Sequence, residues 1–219
     1  MKNIIQLESM DYTSGKISSL KKERDICVVF STFGEREAEL IHHKIALLRK
    51  EAGNLIDRII LSHRRQSDVE DRTELRAKEA WSGVEIVICN SLSVPDMGIE
   101  RGKGADMRRT LYAIGTGTGL SKNARDSVIV FLDADVLTQY FSAHFVYGLA
   151  GAVLEGCDFA KASFWRGLGR VKKFVAQPLF SSIDHPAIRD LGSLAYPLSG
   201  EVAGTFELFS SVSFWQMYG

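Results

Sequence analysis

Apolar positions along this chain switch repeatedly between two spacings. Ile26-Cys-Val-Val-Phe30 is a continuous apolar run of the kind that both faces of a parallel sheet bury, and it predicts a first strand. Over 35–51, Ala38, Ile41, Ile45 and Leu48 recur at three- and four-residue intervals, which predicts a helix with Gly53 placed for its C-terminal cap. The alternation then repeats. Strands are predicted over 55–61, 84–89, 127–132 and 158–164, and helices over 71–81, 103–113 and 141–154. Strands separated by helices of this length imply right-handed crossovers and a mostly parallel sheet flanked by helices, an α/β fold. Ligands of such sheets sit beyond the carboxyl ends of the strands, so the residues just after each strand matter most.

Residues 1–24 lack this periodicity. They read as a polar leader, predicted to be partly disordered, ahead of one domain over 25–219. A chain of 219 residues suits one α/β domain with a substantial core. Apolar residues make up 45% and charged residues 25%, an ordinary globular balance. Lys plus Arg and Asp plus Glu each total 27, so the formal charge is zero and a general nucleic-acid binder is not indicated. Cys27, Cys89 and Cys157 form no CxxC pair, which argues for a reducing compartment over a disulfide scaffold. With no apolar run of about 18 residues and no secretory signal, neither a membrane span nor export is expected, and cytoplasm is the predicted location.

Three stretches carry candidate chemistry. In Val128-Ile-Val-Phe-Leu-Asp133-Ala-Asp135 an apolar strand delivers two carboxylates spaced by one residue. In an extended segment they point the same way and suit a hard divalent cation, Mg²⁺ or Mn²⁺, with substrate phosphates completing its shell. In Glu100-Arg-Gly-Lys-Gly-Ala105, Gly102 and Gly104 flank Lys103 at a predicted helix start, allowing close approach of a phosphate. The spacing is neither a Walker A loop nor a dinucleotide fingerprint. Gly167-Leu-Gly-Arg-Val-Lys-Lys173 places three cations beside two glycines, a pocket for a phosphorylated or carboxylated acid. Taken singly, each stretch is equally an acidic, glycine-rich or basic turn. His42, His43, His63, His144 and His185 read as structural or solvent-facing, and Trp165 and Trp215 as packing residues.

Taken in order, these pieces resemble a known family. Asp133-Ala-Asp135, then Gly169-Arg-Val171, then Pro197-Leu-Ser-Gly-Glu201 are similar to motifs of the glucosyl-3-phosphoglycerate synthases and their mannosyl relatives. Arg101-Gly-Lys-Gly-Ala105, Lys161-Ala-Ser-Phe-Trp-Arg166, Ala176-Gln-Pro-Leu179 and the final run from Ala203 extend the resemblance from about Ile26 onwards. It implies a GT-A, Rossmann-like fold, a nucleoside-diphosphate sugar donor, a 3-phosphoglycerate-like acceptor, a divalent metal and retention of anomeric configuration. By position, Asp133, Ala134 and Asp135 would surround the metal and donor diphosphate, and Gly102 and Lys103 would meet the donor phosphates. Gly169 and Arg170 would hold the acceptor, with Lys172 standing where the family often has a threonine. Glu201 would lie near the sugar as a catalytic partner of Lys103, and Glu35 would meet the nucleoside.

The chain departs from the pattern in three places. Ser31-Thr-Phe-Gly34-Glu35 keeps only the glutamate of the family's Pro-Ala-x-Asn-Glu. Arg64 and Arg65 stand where an acidic residue is expected after the second strand. The chain also stops at Met217-Tyr-Gly219, where family members continue into a region bearing the metal's histidine, so the domain is expected to be C-terminally truncated. The leading expectation is hexosyl transfer, with glucose as the sugar, to 3-phosphoglycerate or a similar acid. The alternative is a catalytically weakened nucleotide-sugar- or acceptor-binding regulatory protein, with a nucleotidyltransferase third. Apolar surface left uncovered predicts a homo-oligomer.

Overall fold

The computed structural model describes residues 4–95, 97, 98, 101–117, 124–164, 170–185 and 188–214. Its centre is a six-stranded sheet in the order β3-β2-β1-β4-β6-β5. The strands are β1 (Ile26–Phe33), β2 (Arg58–Arg64), β3 (Glu85–Ile88), β4 (Val128–Asp133), β5 (Phe159–Lys161) and β6 (Val202–Thr205). The first four are parallel, as expected from the alternating pattern. β6 runs antiparallel to both β4 and β5, inserted between them.

Helices cover both faces. Ile26, Val28 and Phe30 of β1 face a core shared with α1 (Ser14–Lys21), α2 (Ala38–Glu51), α3 (Arg72–Ala80) and α5 (His144–Leu154). Cys27 and Val29 face the opposite core, built with Met107, Leu111 and Ile114 of α4 (Lys103–Thr116) and Phe209 of α7 (Phe206–Ser211). A strand buried on both faces must be apolar at every position, which is why β1 and β4 read as unbroken runs. α2 begins at Ala38, three residues later than its periodicity suggested, because residues 34–37 form a turn after β1. α3 opens with a capping box in which the Asp71 side chain accepts from the Thr73 and Glu74 amides.

Other regions also differ from the sequence expectation. The strand expected over 158–164 is only three residues long, and its sole strand partner among the described residues is β6. The polar leader is joined to the domain: it contains α1, and Tyr12 and Ile17 are buried against α5. The Tyr12 hydroxyl donates to Glu155 at 2.5 Å, and Lys16 pairs with the same carboxylate at 2.7 Å. Among the described residues no helix is long and apolar enough to cross a membrane.

Because Ile17 is 1% exposed, Ile17→Ala should lower unfolding free energy in urea by about 2–5 kcal/mol. A loss below about 0.5 kcal/mol would mean that the leader detaches without cost to the domain.

Candidate functional site

The carboxyl ends of β1, β2 and β4 lie side by side, with Ser31 paired to Ser62 on one side and Asp133 on the other. β4 ends on Asp133, whose side chain leaves the sheet on the α4 side, in line with Ile129 and Phe131. There it pairs with Lys103, the first residue of α4. Gly102 precedes the helix at φ +115°, a conformation that favours glycine, and as N-cap residue it offers no side-chain cap. The first amides of this 14-residue helix, which have no acceptor within the helix, thus lie beside Lys103.

A third segment closes over the pair. A Cβ built on Gly200 would fall 2.1 Å from Asp133 Oδ2 and 2.7 Å from Lys103 Nζ, so only a glycine lets the chain approach so closely. The flanking residues hold that segment in place. Ser199 Oγ donates to Glu201 Oε2 at 2.7 Å and accepts from the Glu201 amide at 3.1 Å. The Lys161 ammonium donates to the Ser199 carbonyl, and the Glu201 carbonyl accepts from Ala162 at 2.9 Å. Burial lowers the Lys161 pKa, with Lys103 adding to the shift while Glu201 and Asp133 oppose it. Glu201 is itself buried.

From the other face, Lys44 of α2 reaches the end of β4. Its ammonium donates to the Ala134 carbonyl at 2.5 Å and to the Asp133 carbonyl at 3.3 Å. Burial pushes its pKa down to about 8, against the upward pull of Asp135, Asp133, Glu201 and Glu37. Three ammonium groups thus share one end of the sheet with Asp133, Asp135 and Glu201. Asp133 is half-buried and ends the strand, whereas Asp135 is exposed in the turn that follows. The extended i, i+2 geometry expected for the two aspartates therefore gives way to a turn at Ala134.

The oxygen donors fit a hard divalent cation that keeps water and substrate phosphates in its shell: Asp133 and Asp135 would supply the protein's share. Among the described residues, the group of His, Asp and Glu spaced closely enough to share an ion is elsewhere: His63, Asp71 and Glu74. Those atoms already have partners. His63 bonds Thr32 and Asp71, both at 2.8 Å, Asp71 caps α3, and Glu74 takes Arg65. That cluster is best read as the cap of α3.

Other expected contacts are placed as follows. Glu35 is exposed at the rim, with Oε1 accepting from the Arg72 amide at 3.2 Å. Arg64 makes a two-point ion pair with Asp106 at 2.9 and 2.5 Å, and Arg65 one with Glu74 at 2.5 and 2.7 Å. Both arginines, which stand where the family pattern has an acidic residue, are engaged within the protein. Arg170 is exposed, two residues ahead of a π-helical turn (Lys172–Ala176), and Lys172 lies 5.7 Å from the Tyr196 ring centre. Gly169, Trp165 and Trp215 lie outside the described residues. Sequence reading assigned no role to Lys44, Lys161, Ser199 or Gly200. Lys44 alone left a signal, a lysine on the apolar stripe of α2 between Ile41 and Ile45.

A six-stranded, mostly parallel sheet flanked by helices makes this a GT-A-type α/β domain, the architecture of the solved structures it matches. No family model matches the chain. The glucosyl-3-phosphoglycerate synthase of Petrotoga mobilis is 29% identical over 220 residues, 93% of this chain and 61% of that protein. The Mycolicibacterium smegmatis synthase is 29% identical over 221 residues, 95% of this chain and 65% of its own length. Among solved structures, the Mycobacterium tuberculosis synthase with Mn²⁺, UDP and phosphoglyceric acid superposes at TM-score 0.72 and 32% identity, covering 95% of this chain and 65% of that one. The same synthase with Mn²⁺, UDP and glucosyl-3-phosphoglycerate gives TM-score 0.72 at 31% identity, over 99% of this chain and 68% of that one. The chain belongs to the glucosyl-3-phosphoglycerate synthase family. It spans 61% to 65% of the length of these curated relatives.

Gly200→Ala should drive Asp133 and Lys103 apart, costing about 1–3 kcal/mol in chemical denaturation. Unfolding indistinguishable from wild type would show that the segment shifts freely instead.

Proposed function

We propose that this protein transfers a hexose, glucose from UDP-glucose being the first candidate, to 3-phosphoglycerate or a similar small acid, retaining anomeric configuration and using Mg²⁺ or Mn²⁺. The observation that carries the reading is the convergence of Lys103, Asp133 and Gly200. They come from three separate stretches of sequence, each part of the family pattern, and they meet at the open start of α4. The family's solved complexes, which hold Mn²⁺, UDP-glucose and phosphoglyceric acid, support the ligand classes.

In this reading the donor diphosphate lies against the first amides of α4 and the Lys103 ammonium. As the bond from the anomeric carbon to the phosphate oxygen breaks, its electron pair stays with the diphosphate, and Lys103 stabilises that charge. Asp133 and Asp135 would hold the metal, which supplies Lewis-acid stabilisation at the same phosphates. Ala134, between them in the turn, is the remaining donor-binding position. Glu201, kept in one orientation by Ser199, faces the sugar, and Glu35 meets the nucleoside at the rim. Gly169, Arg170 and Lys172 bind the acceptor's anionic groups, and an acceptor hydroxyl oxygen forms the new bond to the anomeric carbon while its proton passes to the departing diphosphate oxygen.

The same reading makes the protein a homo-oligomer. Val171, Phe174, Val175 and Leu179 are all exposed on the helical segment that runs from the π turn into α6 (Gln177–Ser182). Their spacing places them on one face, an apolar patch that a second copy would cover.

Incubation with UDP-glucose or other nucleoside-diphosphate hexoses, 3-phosphoglycerate and Mg²⁺ or Mn²⁺ should release the nucleoside diphosphate and form the glycoside. Chelation should stop the reaction, and Lys103→Met should slow it by about 100-fold or more. A folded protein that transfers from no donor would refute the transferase reading. Calorimetric binding of donor and acceptor without turnover would then establish the regulatory alternative.

A further inference from the structure

We propose that Lys44 is a positioning residue for the donor and metal site: by clasping the carbonyls of Asp133 and Ala134 from behind, it shapes the turn that presents the Asp133 and Asp135 carboxylates. The inference rests on the transferase reading of that site.

Lys44 occupies a place where α2 otherwise offers aliphatic side chains. Ile41, Ile45 and Leu48 share its stripe, and all four residues are buried. An ammonium in such a place is unfavourable unless it is fully partnered, so packing alone gives no reason for a lysine here. Its stem and head are enclosed, with the Phe141 ring centre 5.3 Å from Nζ. The direct acceptors that Nζ reaches are two main-chain carbonyls, at 2.5 and 3.3 Å, and they belong to consecutive residues.

Successive carbonyls of an extended strand point in opposite directions. Two that accept from one ammonium have left that geometry, and the chain does turn at Ala134 and Asp135. Lys44 therefore holds the backbone at the point where β4 ends on Asp133 and the chain turns towards Asp135. The Asp133 side chain meanwhile points away from α2, towards Lys103. Lys44 is 1% exposed and lies behind the backbone, so it acts through Asp133 and Asp135. Groups that orient ligating side chains in this manner commonly change metal affinity by about 10–100-fold when removed.

The test compares wild type, Lys44→Met and Lys44→Gln in two measurements: chemical denaturation, and calorimetric titration with Mn²⁺ and UDP. Met keeps the apolar stem and removes the donors, whereas Gln retains a shorter neutral donor. Expected for Lys44→Met are unfolding stability equal to or above wild type, and Mn²⁺–UDP binding weaker by about 10–100-fold. KM for the donor should rise while KM for the acceptor stays unchanged, and Lys44→Gln should fall between Met and wild type in binding. Unaltered Mn²⁺–UDP affinity in Lys44→Met would overturn the inference while leaving the transferase reading intact. Failure of both variants to fold would also overturn it, by showing that Lys44 serves the core. Wild type that binds no Mn²⁺–UDP would remove the transferase reading and this inference with it.

Discussion

The end of β4 is held by opposed charges, and much of the site's architecture follows from their mutual dependence. Lys44 and Lys161 lie where burial disfavours an ammonium, and in each case nearby carboxylates act in the opposite direction. Asp133 is pinned between Lys103 in front and a carbonyl-bound Lys44 behind. Neither set of charges would be stable alone in partly buried surroundings, so each specifies where the other must be. A divalent cation and a diphosphate are themselves an opposed pair. They could enter such a cluster by exchanging partners with Lys103 and Asp133, leaving no charge uncompensated.

The sheet topology brings these groups together. Parallel β1, β2 and β4 align their carboxyl ends, which places Ser31, Ser62 and Asp133 in one row. Antiparallel β6 starts at the same end, so the residues before it, Ser199 to Glu201, arrive over Asp133 instead of at the far edge. β5 also ends there, which brings the Lys161 ammonium to the Ser199 carbonyl. One inserted antiparallel strand thus supplies a wall of the site that a wholly parallel sheet would lack.

Most of this frame was legible in the sequence. The apolar runs of β1 and β4 and the stripe of α2 are local patterns, and local patterns survive folding. β6 was not foreseen because Val202-Ala-Gly-Thr205 is short, contains glycine, and is defined by partners roughly 40 to 75 residues earlier in the chain. Tyr12 and Ile17 are isolated apolar residues in a polar stretch, and only their contact with α5 reveals them as core. At the site, Lys103 and Asp133 could be named from residue chemistry and motif order, but their ion pair could not. The same limit explains Arg64 and Arg65. The sequence shows only that they replace an acidic residue, whereas the fold pairs Arg64 with the distant Asp106 and Arg65 with the nearer Glu74.

The central claim is that metal and nucleotide bind at the end of β4, and anomalous diffraction from crystals grown with Mn²⁺ and UDP tests it most directly. A manganese peak within coordinating reach of Asp133 and Asp135, with the Lys103 ammonium turned from Asp133 to the diphosphate, is the predicted result. Manganese at His63, Asp71 and Glu74 instead, or UDP bound away from the start of α4, would contradict the account.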